Sequence, residues 1–107
     1  MYVTNKRYRI ILYHMEIDFT VNLNLYKYFL AVMEARSVSQ AANKLRVSQP
    51  TVSYNIHVLQ RELGEQLFTV EREGVVPSPR TWILYRQIKP LYLALVQRIA
   101  EFMQQHN

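Results

Sequence analysis

The sequence predicts a mainly α fold: three short helices, a β-hairpin and one long C-terminal helix. Three observations predict it. Between Ser37 and Phe68, hydroxyl caps, a proline and a glycine punctuate apolar residues at helical spacing. Leu67–Val70 and Val75–Val76 then flank the turn-forming run Glu71-Arg72-Glu73-Gly74. Ser78-Pro79 finally opens a helix-spaced apolar pattern that reaches about Gln104.

Residues 1–21 are rich in Tyr, Ile and Val with irregular charge and no partner strand, and they read as a loose leader. The compact part, residues 22–78, begins where Asn22 or Asn24 is placed to cap a first helix. Leu25, Phe29, Val32 and Met33 recur on that helix at helical spacing, with Tyr26 and Tyr28 expected to pack beside Phe29. Ser37 and Gln40 form an S-x-x-Q capping box for a second, short helix. Ala41, Ala42 and Leu45 make its inner face, and the two alanines permit close helix approach. Ser48 caps a third helix and Pro50 sits in its first turn, where the amide proline lacks would be unpaired anyway. Val52, Ile56, Leu59 and Leu63 form the buried stripe, and Gly64 ends the helix. On the long helix, residues 79–107, Ile88, Leu91, Tyr92, Leu95, Ile99 and Phe102 form a broad apolar stripe, which Pro90 is expected to interrupt and kink.

Composition narrows the function. A chain of 107 residues is enough for one small domain. Its net charge of +5 and pI of about 9.7 suit a polyanionic partner. The absence of cysteine excludes disulfides and thiolate metal sites and fits a reducing compartment. Lys6, Arg7 and Arg9 before Ile10, Ile11 and Leu12 loosely imitate a signal peptide. That run ends at His14, Glu16 and Asp18 without a cleavage site, so a cytoplasmic location is expected. His14, His57 and His106 are scattered over separate elements, Glu71 and Glu73 sit at a turn with nothing to bury them, and Gly64 and Gly74 are too far apart for a phosphate loop. No enzyme, cofactor or metal site is expected.

The third helix is the candidate reader of a nucleic acid. With its apolar stripe inward, Tyr54, His57 and Arg61 point outward, flanked by Gln49, Thr51 and Ser53, and no acid appears until Glu62. Such a face exchanges hydrogen bonds with base edges and phosphates, and the helix N-terminus favours an anion. Gln49 is the expected base-edge contact, since an amide pairs bidentately with adenine. Thr51 and Ser53 are expected at phosphate or a thymine methyl, and His57 and Arg61 at backbone.

The spaced pattern Ala41-Ala42-x-x-Leu45-x-x-Ser48-Gln49-Pro50-Thr51-Val52-Ser53-x-x-Ile56-x-x-Leu59-x-x-x-Leu63-Gly64-x-x-Leu67-Phe68 closely resembles the signature of LysR-type transcriptional regulators. The resemblance runs from about Leu23 to Leu95. It implies a winged helix-turn-helix, with the helix-turn-helix at about 38–57 and the wing at about 67–77, and a linker helix that dimerises two chains. It places Gln49, Pro50, Thr51 and Ser53 in the major groove and Ser39 near the phosphate backbone. Tyr54 stands where an arginine is frequent, Val70 replaces an arginine usual after Leu-Phe, and a basic wing position is Glu73, with Arg72 beside it as a substitute. Between Glu65 and Arg80, two arginines face three glutamates, so the wing should contribute little attraction to DNA. Arg80-Thr81 replaces the Ala-Gly pair usual after the wing, which alters how the linker helix begins.

The partner expected is therefore double-stranded DNA, bound as an interrupted palindrome by a homodimer formed through the long helix. Family members continue into an effector-binding domain after that helix, and the expectation here is of a regulator without one. The alternative expectation is an interaction protein that heterodimerises with a full-length relative and antagonises it.

Overall fold

The computed structural model describes residues 21–105. The leader expected over residues 1–21 therefore falls outside the described residues, apart from Val21. The chain forms α1 (Asn24–Ala35), α2 (Val38–Leu45), α3 (Gln49–Leu63), β1 (Phe68–Glu71), β2 (Gly74–Pro77) and α4 (Pro79–Gln105). This is a winged helix-turn-helix: a three-helix core, a two-stranded antiparallel wing and a long final helix.

The core follows the apolar periodicity. Leu25, Phe29, Val32 and Met33 of α1, Ala41 and Ala42 of α2, and Val52, Ile56 and Leu59 of α3 are all buried, with Leu45 and Leu63 packed at the margin. Phe29 lies at the centre, fully buried, with its ring centroid 6.2 Å from Tyr26 and 6.1 Å from Phe68. Phe68 and Val75 carry the core under the wing, so the hairpin is packed onto the helices rather than appended to them.

The helix ends match their chemistry with one shift. Ser37 and Ser48 are extended N-caps whose hydroxyls accept the amides of Gln40 and Thr51, each at 3.2 Å. Gly64 closes α3 in the left-handed region at φ 67°. The first helix differs from expectation: Asn24 is already helical and the N-cap is Leu23, which has no side chain to offer. Asn22, one residue further out, accepts the Asn24 amide at 3.0 Å and does the capping.

The hairpin is tighter than expected. Phe68 pairs with Pro77 and Glu71 with Gly74, leaving only Arg72-Glu73 in the turn. Gly74 makes this closure possible. Its φ is +141°, and a Cβ there would lie 2.2 Å from the Arg36 carbonyl oxygen. The Val75 amide donates to that same carbonyl at 3.1 Å, so the wing is anchored to the α1–α2 junction.

α4 is continuous from Pro79 to Gln105, as the apolar pattern reaching about Gln104 implied, with Pro90 inside it. Pro90 removes the donor for the Arg86 carbonyl, but both residues are exposed and water can take the amide's place. Ser78 starts α4, accepting the Thr81 amide at 3.1 Å. Thr81 is fully buried and its hydroxyl donates to the Leu67 carbonyl at 2.7 Å. The Arg80-Thr81 pair thus gives the helix a hydroxyl-bonded start.

Candidate nucleic-acid interface

The helix-turn-helix is α2, a three-residue turn and α3. Arg46 closes α2 in the left-handed conformation at φ 60°, its amide shared between the Ala42 and Asn43 carbonyls, and Val47 donates to Ala42 at 3.0 Å. Ser48 then turns the chain into α3. Its hydroxyl also lies 2.8 Å from the Thr51 hydroxyl, so Thr51 is partly committed to the cap. Asn55 is committed as well, donating to the Thr51 carbonyl at 2.8 Å.

What remains uncommitted is a strip along α3. Gln49, Pro50, Ser53, Tyr54, His57 and Arg61 are all exposed. Opposite the buried stripe, at about 100° per residue, the strip is centred on Pro50, Tyr54, His57 and Arg61. Gln49, the first residue of the helix, lies off this strip but is exposed. Ser39, in the first turn of α2, is half-buried with its hydroxyl 3.0 Å from that of Ser37. Of the predicted reading residues, Pro50, Tyr54, His57 and Arg61 share one face of α3, Ser53 flanks it, and Thr51 is the most engaged in the domain's own hydrogen bonds.

The wing offers a different surface. Glu71, Arg72 and Glu73 are exposed at its tip, and Val70 is 81% exposed. Its position is set from three sides. The Gln60 side-chain carbonyl of α3 accepts the amides of Leu67 (2.8 Å) and Phe68 (3.4 Å), Thr81 of α4 holds the Leu67 carbonyl, and the Arg36 carbonyl holds Val75. The Arg36 guanidinium sits over the Trp82 ring, 4.4 Å from its centroid, tying the same junction to α4. Gln60 and Trp82 were not singled out in the sequence, where one is an ordinary polar position and the other one aromatic among many. Thr81 did carry a signal, because Ser78-x-x-Thr81 has the spacing of a hydroxyl cap.

The long helix divides in two. Its first half is held by the domain: Trp82, Leu84, Tyr85 and Tyr92 pack against the core. Lys89 donates to Glu34 of α1 at 2.8 Å and to the Tyr85 hydroxyl at 2.9 Å, and that hydroxyl also donates to Glu34. These bonds hold the Glu34 carboxyl below the usual carboxylate range and raise the Lys89 ammonium. Tyr85, Ile88 and Tyr92 are partly buried within the chain. The second half is exposed. Leu91, Leu95, Ile99 and Phe102 lie open as expected, joined by Leu93, Val96 and Met103, which the stripe had not included.

Residues 23–81 match the family described as bacterial regulatory helix-turn-helix protein, lysR family. That match covers more than half of the 107 residues and every element from α1 to the start of α4. The chain belongs to the lysR family. The nitrogen assimilation regulatory protein nac of Escherichia coli K12 is 32% identical over 71 residues, 66% of this chain and 23% of that protein. The HTH-type transcriptional regulator XapR of the same organism is 38% identical over 77 residues, 72% of this chain and 26% of that protein. The chain thus spans about a quarter of the length of these lysR-type relatives. The crystal structure titled BenM_DBD/catB site 1 DNA complex superposes with a TM-score of 0.73 at 30% identity, covering 81% of this chain and 98% of that one. Among the described residues there is no group of acids, histidines or cysteines arranged to hold a metal and no helix long and apolar enough to cross a membrane.

Proposed function

We propose that this chain is a sequence-specific DNA-binding transcription regulator that acts in the cytoplasm and binds an interrupted palindrome as a dimer. The observation that carries the reading is the uncommitted strip on α3: Gln49, Ser53, Tyr54, His57 and Arg61 are exposed, and their side chains make no hydrogen bond among the described residues. A helix whose inward face is closed-packed and whose outward face carries an amide, hydroxyls, an imidazole and a guanidinium presents the groups that base edges and phosphates require. The relatives named as transcriptional regulators, and the likeness to a domain solved on DNA, support the same reading.

Gln49 is assigned to a base edge, with Ser53 and Pro50 beside it in the major groove. Thr51 keeps its cap bond and meets backbone or a thymine methyl. Ser39 lies at the phosphate backbone, and Arg61, His57 and Arg72 supply further backbone contacts. The second copy docks on the distal half of α4 through Leu91, Leu95, Ile99 and Phe102, whose exposure amounts to a patch that a lone soluble chain rarely leaves open. Ile88 and Tyr92, both half-buried, border that interface, Tyr92 packing against the core. A two-fold pairing presents two α3 helices and accounts for a palindromic site.

The exposed distal half of α4 and the acidic wing also suit a second reading, in which the chain pairs with a full-length relative and antagonises it. Footprinting the purified chain on DNA fragments selected from a random pool separates the two, together with its mass by sedimentation. The regulator reading predicts a dimer protecting two half-sites on one face of the duplex. A chain that protects nothing alone, yet removes a relative's footprint, contradicts it.

A further inference from the structure

Tyr54 is an anomaly among the tyrosines of this domain. Tyr26, Tyr28, Tyr85 and Tyr92 are buried or half-buried, whereas Tyr54 is 66% exposed. Its side chain takes part in no hydrogen bond or ring contact among the described residues, although it projects from the middle of the outward strip. Its surroundings are rich in carbon. A helical side chain leans towards the helix N-terminus, so the Tyr54 ring covers the first turn, where Pro50 contributes a pyrrolidine ring and Thr51 a methyl group. The first guanidinium on this strip is Arg61, seven residues and about 10 Å further along the axis.

Base-pair chemistry discriminates sharply here. Guanine offers two major-groove acceptors that call for arginine or lysine, while thymine offers a C5-methyl that is read by apolar contact. We infer that Tyr54 sets the base preference of the half-site by packing its ring against a thymine C5-methyl. The inference rests on the reading that α3 enters the major groove. The ring supplies the discrimination, and the phenol hydroxyl stays at the groove edge, bonded to water or phosphate.

The test uses the full chain and a duplex selected from a random pool. Each thymine of the selected site is replaced in turn by deoxyuridine, which removes only the methyl. One thymine per half-site should prove sensitive, its methyl worth about fourfold in affinity. Tyr54→Ala should bind more weakly and become indifferent to that methyl, while Tyr54→Phe keeps the sensitivity. Tyr54→Arg, put through the same selection, should prefer guanine at that position. Tyr54 is solvent-facing, so these variants should melt like the native chain. A selected site in which no thymine methyl matters overturns the inference, as does a methyl effect that persists in Tyr54→Ala or is lost in Tyr54→Phe. If the native chain enriches no sequence at all, the regulator reading itself falls; if it enriches a methyl-indifferent site, only the role of Tyr54 does.

Discussion

α3 and the wing are both rigidly built into this domain, yet they present opposite chemistry. α3 turns an uncommitted strip outward, with Arg61 and His57 and no acid before Glu62. The wing turns out Glu71 and Glu73 around a single Arg72, beside a nearly bare Val70. Rigidity alone therefore does not make a contact surface. The wing is fixed by its backbone, through Arg36, Gln60 and Thr81, and by the buried Phe68 and Val75, so its exposed tip residues are free to vary without loosening it. The reading face depends on side chains that the fold leaves unused. We propose that α3 dominates contact with DNA and that the wing acts mainly as a brace.

Five substitutions sharpen this contrast. The largest effect should come from Gly74→Ala, because the new Cβ meets a backbone oxygen at 2.2 Å and the residue already sits at φ +141°. Unfolding in urea should show a loss of about 3 kcal/mol, with Tm lowered by roughly 10–20 °C. Gln60→Ala comes next. It strips the partner from two amides where α3 meets the wing, and the same titration should show about 1–3 kcal/mol lost.

Binding effects follow. Arg61→Ala should weaken all sequences similarly and reduce the slope of log affinity against log salt by about 0.9, while Arg72→Ala changes that slope less. An equal change from the two arginines breaks the contrast between helix and wing. The smallest effect belongs to Glu34→Gln, at the exposed link between α1 and α4. The folded Glu34 carboxyl is held below its ordinary range, so its stabilisation is present at neutral pH and lost as pH falls through the folded value. The Tm of the native chain should exceed that of Glu34→Gln near neutrality, and the gap should close in acid.

Much of this was legible in the sequence. Caps at Ser37 and Ser48, the glycine at Gly64 and the apolar stripes act locally, over three or four residues, and they located α2 and α3 closely. The exposed strip was legible for the same reason, since helical periodicity assigns faces. Long-range partners were not. Nothing local in Gln60 says that its side chain will hold Leu67 and Phe68, and nothing in Tyr85 says that it will meet Glu34, 51 residues away. The apolar stripe of α4 was read as one surface because periodicity cannot tell a core contact from an interface. Within the chain its residues differ: Tyr92 packs against the core while Leu91, Leu95, Ile99 and Phe102 are exposed.

The most direct test of the contrast is an amide and side-chain NMR map of the chain on addition of its selected duplex. Dominance of α3 predicts that the largest perturbations fall on Gln49, Ser53, Tyr54, His57 and Arg61, with Glu71, Arg72 and Glu73 nearly unmoved. Perturbations concentrated on the wing tip, with a quiet α3, would contradict it.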